Sequence, residues 1–248
     1  MRESFLELRI KRGESGEGEA FKFAGIAFKN LEFLEEFYYY FATDSTNERA
    51  KGGKIFSLFF AEEQLAGKGR LGRQWISKKG GLYFSLVLPL LGAQKLTILS
   101  ALSVAESIPD ARIKWPNDVL YKGKKFCGIL GEVWENKAIL GIGVNVENEI
   151  PPELRDYATN LSNLSMGRKE VFDRITRNFY RNYLNLITGN WEEIIARYRK
   201  ICETSGKRVK IITHNREIVG IAEICEDGSI IVDGKRIYAG ECVHLRNF

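Results

Sequence analysis

Apolar and polar residues alternate in two short stretches near the start of the chain. These stretches are residues 4–11 (SFLELRIK) and 21–28 (FKFAGIAF), and the glycine- and glutamate-rich residues 12–20 separate them. Alternation with a period of two is typical of a half-buried strand. The pattern therefore predicts a strand, a loop and a second strand over residues 1–30.

The middle of the chain combines strand and helix patterns. Continuous apolar runs at residues 54–61 and 81–88 indicate buried strands, and residues 95–108 have the length and composition of a helix. The runs at residues 124–133 and 137–146 indicate a pair of neighbouring strands. We therefore predict an α+β region that contains a mixed sheet with helices.

Two amphipathic helices follow, because apolar side chains recur on one face at helical spacing. The face of the first helix comprises Val171, Ile175, Phe179, Tyr183 and Leu186, and that of the second comprises Trp191, Ile194, Tyr198 and Ile201.

Beyond these helices, short strands alternate with turn dipeptides. The dipeptides are His214-Asn215, Asp227-Gly228 and Asp233-Gly234, and Asp-Gly between apolar runs is a strong hairpin signal. Residues 203–248 are therefore predicted to form a small β-barrel, and residues 1–202 the larger domain.

Composition narrows the class of protein. The chain of 248 residues is 44% hydrophobic and 28% charged, as expected of a globular protein with one large domain and a small second one. The net charge of +5 permits an anionic ligand without requiring nucleic acid. No apolar run approaches the roughly 20 residues of a membrane helix, and the first residues lack the apolar core of a secretory signal. These features predict a cytoplasmic protein.

The cysteines argue against a metal site. Cys127, Cys202, Cys225 and Cys242 form no C-x-x-C pair, and His214 and His244 are the only histidines. Structural zinc sites use closely spaced Cys and His ligands. We expect reduced, partly buried thiols and no metal ligands from the chain.

The segment GKGRLGRQW, residues 67–75, combines glycines with basic residues. Its G-x-G-x-x-G spacing suggests a dinucleotide-binding loop, and it also approaches a P-loop. Both motifs require a helix after the glycines, whereas a turn and a strand are predicted here, and no acidic residue occurs between Gln64 and Ala105. The glycines allow backbone N–H groups to approach an anion, so we interpret the segment as an anion-binding loop between two strands. A solvated hairpin without a ligand is the alternative.

A second basic cluster lies downstream. The segment IKWPND places Lys114 on a short strand that ends at Pro116, Asn117-Asp118 is predicted to form a turn, and Lys125 starts the next strand. The simpler interpretation is a turn with a buried tryptophan. Together, the two basic clusters could converge on one phosphate-bearing substrate.

Four motifs along the chain resemble those of biotin protein ligases and occur in the same order as in that family. The motifs are TDSTNERA, EEQLAGKGRLGRQW, IKWPNDVLYKGKKFCGILGE and LGIGVNV, within residues 40–150, and the tail SGKRVKI…GECVHLR is similar to the C-terminal SH3-like domain of that family. The resemblance implies a catalytic domain of the class II aminoacyl-tRNA synthetase and biotin ligase type. Long members of the family add an N-terminal DNA-binding domain. Only residues 1–42 precede the first motif here, so we expect the monofunctional form and no specific nucleic-acid partner.

The resemblance also implies an activity. In this family the biotin carboxylate attacks the α-phosphate of ATP, with Mg²⁺, to give biotinyl-5′-AMP. A lysine of the biotin carboxyl carrier protein then takes the biotinyl group. Relatives commonly dimerise through sheet edges, so a homodimer is a further expectation.

Site residues follow from the motifs by position. Those implied for biotin are Ser45, Thr46, Asn47, Gln64, Lys68, Gly69, Arg70 and Lys125. Those implied for ATP binding and catalysis are Lys114, Arg70, Asn117, Asp118, Asn145 and Arg246.

Several of these residues have a simpler structural interpretation. Residues 45–47 could cap the helix that follows Asp44, Trp75 and Trp115 are interpreted as core residues, and Gly141 and Gly143 could relieve crowding beside a ligand.

The chain departs from the family in two places. Lys68 stands where many relatives have arginine, which removes a bidentate contact. Residues 149–164 contain no tryptophan to stack on adenine, so the base pocket must be lined differently.

Two other functions remain open at this point. A lipoate-protein ligase would use the same chemistry, although the paired basic motifs and the β-rich tail argue against it. A nucleic-acid-binding module would need aromatic residues between the cations and a more basic chain than 37 basic against 32 acidic residues.

Overall fold

A computed structural model describes residues 7–14, 18–213 and 216–245. The helices are α1 Glu19–Asn30, α2 Thr46–Ala50, α3 Ala93–Ser107, α4 Arg168–Ile187 and α5 Trp191–Ile201. The strands of the large sheet are β1 Glu7–Lys11, β2 Glu36–Thr43, β3 Ser57–Gln64, β4 Leu82–Pro89, β5 Arg112–Lys114, β6 Asp118–Tyr121, β7 Lys124–Trp134 and β8 Lys137–Val144. The C-terminal strands are β9 Arg208–Ile212, β10 Glu217–Ile224, β11 Ile230–Val232, β12 Lys235–Ile237 and β13 Glu241–His244.

The large sheet is mixed, as predicted. Its order is β1-β2-β3-β4-β8-β7-β6-β5, and only β2 and β3 run parallel. The predicted strand pair is confirmed, since β7 and β8 form an antiparallel hairpin from Cys127↔Val144 to Trp134↔Lys137. The three predicted helices of the middle region are confirmed as α3, α4 and α5.

Both faces of the sheet centre are covered, which explains the continuous apolar runs in the sequence. On β3, Leu58 and Phe60 belong to the large core, which also includes residues of α1, α3 and α4. The intervening Phe59 and Ala61 belong to a smaller cluster that includes Ala50 of α2. The candidate site described below lies on the α2 face.

One predicted strand is a helix. Strand β1 confirms the first strand, but residues 21–28 lie within α1. Its buried residues include Ala20, Phe23, Ala24 and Ala27, which have the i, i+3, i+4, i+7 spacing of one helix face. Phe23 stacks on Phe60 at 4.6 Å between ring centroids, so this face packs on the sheet. The short F-K-F alternation concealed the helical period.

The C-terminal strands form an antiparallel sheet in the order β12-β11-β10-β9-β13. The turn at Asp227-Gly228 joins β10 to β11 and the turn at Asp233-Gly234 joins β11 to β12, as predicted. The His214-Asn215 turn lies outside the described residues. Closure of this sheet into an SH3-like barrel, and the boundary at residue 202, stay predictions.

Two further sequence predictions concern the state of the cysteines and the presence of membrane-spanning helices. All four cysteines are free thiols, and Cys127, Cys202 and Cys242 are buried, as the sequence suggested. Within the described part of the chain, no helix is long and apolar enough to cross a membrane.

Candidate active site

A cavity of about 930 Å³ lies between the α2 face of the large sheet, the glycine-rich loop and strand β13. Residues of both basic clusters line this cavity, whereas their convergence on one phosphate-bearing substrate stays a prediction. Apart from Asn145, every predicted site residue that the structure describes lines this cavity: Ser45, Thr46, Asn47, Gln64, Lys68, Gly69, Arg70, Lys114, Asn117, Asp118 and Lys125. Their individual roles stay predictions.

The start of α2 is held by side chains of neighbouring strands rather than by its own cap. Ser45 occupies the capping position but makes no side-chain capping hydrogen bond. The backbone N–H and the hydroxyl of Thr46 both donate to Oε1 of Gln64, at 2.8 and 3.1 Å. The amide of Gln64 in turn donates to Oγ of Ser77 at 2.7 Å. These bonds fix Thr46 and Gln64 relative to each other.

Asn47 is fixed in the same way on the other side of α2. Its Nδ2 donates to Oε2 of Glu132 at 2.6 Å, and Oγ of Ser85 lies 2.6 Å from its Oδ1. A Cβ at Gly141 would overlap this Oδ1. Gly141 thus relieves crowding, as predicted, and the neighbour that crowds it is the Asn47 side chain.

The glycine-rich loop runs between β3 and β4, in the strand–loop–strand context that the sequence indicated. It folds back on itself, since the N–H of Gly69 donates to the carbonyl of Arg73 at 2.7 Å and that of Trp75 to the carbonyl of Gly67 at 2.8 Å. Residues 70–73 form a tight turn in which Leu71 and Gly72 both have positive φ, and the N–H of Arg73 donates to the carbonyl of Arg70 at 3.2 Å. No dinucleotide-binding helix follows the glycines.

The cations of the loop form ion pairs or hydrogen bonds with three other parts of the molecule. Lys68 pairs with Glu48 of α2, which raises the pKa of Lys68. Arg70 donates from Nη1 to Oδ1 of Asn117 at 2.8 Å, and burial lowers the pKa of its guanidinium. Arg73 makes the third tie.

Arg73 connects the loop to the C-terminal sheet. Its guanidinium pairs with the carboxylate of Glu241 on β13, which lines the cavity. The loop is therefore held at its start by α2 and at its end by the C-terminal sheet.

The second basic cluster lies beside the loop in the same cavity. Nζ of Lys125 lies 2.6 Å from Oδ1 of Asp118 and 5.2 Å from the centre of the Trp75 ring. Lys114 ends β5 opposite Asp118, and no ion pair joins it to another described side chain. Lys114 therefore lines the cavity without a carboxylate partner among the residues that the structure covers.

The two tryptophans differ in environment. Trp115 is 1% exposed and donates from Nε1 to the carbonyl of Gly228 at 3.0 Å, so its assignment to the core is confirmed. The same prediction is wrong for Trp75, which is only half-buried; both tryptophans line the cavity. The indole of Trp75 occupies the space above Gly143, where a Cβ would overlap Nε1. Gly143 on β8 is far from Trp75 along the chain, and its lack of a side chain leaves room for the indole.

Asn145 does not line the cavity. It is 5% exposed, donates from Nδ2 to the carbonyl of Thr159 at 3.2 Å, and accepts at Oδ1 from Asn148 at 3.0 Å. These bonds fasten the segment that follows β8, which gives Asn145 a structural role in this arrangement. Arg246 lies outside the described residues.

Some cavity residues were missed from the sequence. Tyr157, which is 76% exposed, and Asp156 line the cavity from the segment after β8, and residues 241–244 line it from β13. The aromatic Tyr157 in a segment without tryptophan was an available signal. The predicted role of Arg246, just after β13, was a sign that this end of the chain reaches the site, but residues 241–244 themselves were not predicted.

The sequence and the fold both have close parallels. Residues 42–148 match the model of the Biotin/lipoate A/B protein ligase family. The chain is similar to the biotin--[acetyl-CoA-carboxylase] ligase of Mycobacterium tuberculosis, with 31% identity over 90% of this chain and 92% of the relative. The chain is a member of the biotin protein ligase family.

Further relatives agree with this assignment. The bifunctional ligase/repressor BirA of Bacillus subtilis is 33% identical to this chain, over 81% of this chain and 69% of the length of BirA. The biotin protein ligase of Aquifex aeolicus, solved in complex with biotin and ATP, superposes with a TM-score of 0.77 at 32% identity, over 85% of this chain and 99% of that one. The α+β catalytic fold expected from the motifs is thus confirmed.

Proposed function

We propose that this ligase activates biotin with ATP to biotinyl-5′-AMP and transfers the biotinyl group to a lysine of a biotin carboxyl carrier protein. The observation that carries the proposal is the convergence of Lys68, Arg70, Lys114 and Lys125 on one cavity. These cations come from separate segments, as recognition of a ligand with several anionic groups requires.

The first step joins two anions, so it depends on positive charge. The biotin carboxylate oxygen attacks the α-phosphorus of ATP, the bond to the bridging oxygen breaks, and pyrophosphate leaves. Cations that screen the approach and stabilise the charge on the pentavalent phosphorus lower this barrier. Lys114 and Arg70 are the groups proposed for this role.

Biotin itself needs a mostly apolar site with a few polar partners. The indole of Trp75 provides an apolar surface beside Lys125, and the fixed side chains of Thr46, Asn47 and Gln64 supply hydrogen-bonding groups. Because these side chains are held by other residues, little conformational entropy is lost when biotin binds.

The glycine-rich loop is proposed to close over the adenylate. A mixed anhydride reacts with water, and a closed site prevents that loss. In the second step the carrier lysine amine attacks the acyl carbon, a C–N bond forms, and AMP leaves with the electrons of the broken C–O bond. The loop must therefore admit one amine while excluding solvent.

Magnesium is expected to arrive with the nucleotide. Among the described residues, no group of three His, Cys, Asp or Glu side chains is placed to hold a metal ion. Mg²⁺ typically binds substrate phosphates, waters and one or two carboxylates, and Asp118 and Asp156 line the cavity. This donor set fits an ion carried by the triphosphate, whose charge it would screen.

The decisive experiment is pyrophosphate–ATP exchange with biotin, with lipoate as the matched control substrate. We expect exchange with biotin only. Exchange with lipoate only would instead identify a lipoate-protein ligase, and no exchange with either would refute adenylate formation.

Transfer is tested separately with a biotin carboxyl carrier protein as acceptor. We expect one biotin per carrier domain, and none on a carrier in which the acceptor lysine is replaced by arginine. Sedimentation with and without biotin and ATP tests the homodimer expected from the family.

A further inference from the structure

Strand β13 brings a histidine to the cavity that the proposed chemistry does not use. His244 lines the cavity, although its side chain is only 19% exposed. Its Nε2 lies 2.9 Å from Oγ1 of Thr204, and its Nδ1 lies 3.5 Å from Oε1 of Glu203. The imidazole of the C-terminal sheet is thus set against the segment that follows α5.

That segment is bonded to the strand that carries Lys114. The N–H of Glu203 donates to the carbonyl of Ile113 at 2.9 Å, and the N–H of Trp115 donates to Oγ1 of Thr204 at 3.0 Å. Thr204 is fully buried. Residues on both sides of Lys114 therefore depend on this segment for their backbone hydrogen bonds.

The protons in this chain of contacts can be assigned from the groups present. The N–H of Trp115 can only donate, so Thr204 accepts there, and its single hydroxyl proton is available for Nε2 of His244. Nδ1 then carries the imidazole proton and faces Glu203. The hydroxyl proton of Thr204 goes to the imidazole rather than to the thiol of Cys202 or Cys242, because a thiol sulfur is a much weaker acceptor than an imidazole nitrogen.

This assignment requires a neutral imidazole. Burial, assisted by the nearby charges of Lys207 and Lys114 and opposed by Glu203, lowers the pKa of His244 to about 4. The ring is therefore neutral near pH 7 and keeps Nε2 as an acceptor.

We propose that His244 is a positioning residue for Lys114: it orients the Thr204 hydroxyl, which holds the Lys114–Trp115 peptide. Lys114 has no ion pair with another described side chain, so the direction of its ammonium depends on the backbone that carries it. The effect on catalysis rests on the proposed function, whereas the effect on the peptide does not.

The test compares His244→Ala with His244→Gln. Oε1 of glutamine can reach the place of Nε2 and accept from Thr204, whereas alanine cannot. Hydrogen exchange of the Trp115 amide, followed by NMR in the ligand-free protein, measures the coupling without any activity. We expect exchange to accelerate about 5-fold or more in His244→Ala and less than about 2-fold in His244→Gln, as for loss of one hydrogen bond.

Activity provides the second readout. In biotin-dependent pyrophosphate exchange, His244→Ala should lower kcat by about 3- to 10-fold with the KM for biotin within about 2-fold, and His244→Gln should restore most of the rate. Val219→Ala, on the exposed side of the same C-terminal sheet, is the control and should match the parent.

A Trp115 amide that exchanges equally in the parent and in His244→Ala would overturn the proposal, as would an equal loss of rate with alanine and glutamine. If alanine unfolds the protein, Thr204→Ser and Thr204→Val replace it: serine keeps the hydroxyl and should behave as the parent, and valine should not. Absence of exchange activity in the parent would refute the proposed function alone, because the amide measurement still decides the coupling.

Discussion

The cations that the proposed function uses, Lys68, Arg70, Lys114 and Lys125, differ in what holds them. Lys68 is paired with Glu48, Lys125 with Asp118, and Arg70 is bonded to Asn117. A cation that already has a partner must exchange it when substrate binds, which reduces the gain in free energy. Lys114 has no such ion pair among the described side chains, so it can respond to charge that develops during the reaction.

Replacing Lys114 by alanine should therefore affect the rate more than the binding. Loss of one group that stabilises developing charge lowers the rate of adenylate formation by about 10²–10³-fold, with a smaller change in biotin affinity. Single-turnover kinetics and equilibrium binding measure the two effects. Lys79→Ala, an exposed lysine away from the cavity, is the control. A variant that loses affinity but keeps its single-turnover rate would contradict the role of Lys114.

Arg70→Gly should make the loop a poorer lid. The change removes the cation and its 2.8 Å bond to Asn117, and it adds backbone freedom. A lost charge-assisted hydrogen bond corresponds to about 1.5–3 kcal/mol, or roughly 10–150-fold in affinity. We expect biotinyl-AMP to escape and to label lysines of bystander proteins.

Adenylate retention after rapid gel filtration, together with biotinylation of a non-carrier protein, measures this escape. Lys68→Arg is the matched control, because it keeps the charge that faces Glu48. Full retention and an unlabelled bystander in Arg70→Gly would show that the loop is not a lid.

At the scale of elements, β8 shows how one strand serves both the core and the site. Its residues Leu140, Ile142 and Val144 face the large core. The alternate positions Gly141 and Gly143 face the opposite side, because successive side chains point to opposite faces of a sheet. The missing side chains leave room for Asn47 and Trp75.

Gly143→Ala should displace the Trp75 indole. The added Cβ would overlap Nε1, and overpacking typically costs about 1–3 kcal/mol. We expect weaker biotin binding, lower stability to urea and altered tryptophan fluorescence. Gly25→Ala is the control: a Cβ there meets open space on α1, and stability should rise by about 0.5–1 kcal/mol. Unchanged biotin affinity in Gly143→Ala would separate Trp75 from the biotin site.

At the scale of the whole molecule, the C-terminal sheet packs against the large sheet. Apolar residues of the C-terminal strands share the large core, and polar contacts cross the junction as well: Arg73 pairs with Glu241, Trp115 donates to Gly228, and His244 contacts Thr204. A titratable group in such a contact makes stability depend on pH. Stability should therefore respond to pH through His244.

The expected response has a definite sign. The pKa of His244 is about 4 in the folded protein against 6.5 ordinarily, so between these values the unfolded chain binds the proton more readily. Stability is thus fully present above about pH 6.5 and falls as the pH falls towards 4. Allowing for partial exposure and solvent screening, the loss between pH 7 and 5 is about 1 kcal/mol.

Urea unfolding of the parent and of His244→Gln at the two pH values tests this expectation. Glutamine does not titrate, so its unfolding free energy should change less between pH 7 and 5. Three carboxylates with lowered pKa values, Asp44, Glu48 and Asp227, also make stability depend on pH. They do so at lower pH, below their ordinary pKa values of 3.8 to 4.5. The same pH dependence in both proteins would refute the assignment to His244.

The sequence by itself determined those features that depend on neighbours along the chain. The hairpin of β7 and β8, the helices α3 to α5 and the two Asp-Gly turns follow from local periodicity and turn chemistry. Many of the residues that line the site could also be named in advance, because they lie in short motifs that resemble those of biotin protein ligases. The helix α1 was missed only because a short alternation and a helical face overlap there.

Tertiary structure decided the rest, since those features depend on residues far apart in sequence. Trp75 enters the cavity because Gly143 has no side chain, and Asn145 turns away to bond with Thr159. His244 contacts Thr204, which accepts from the N–H of Trp115, only because the last strand packs against the segment after α5. No local pattern encodes such contacts, because the packing that makes them favourable exists only once the whole chain has folded.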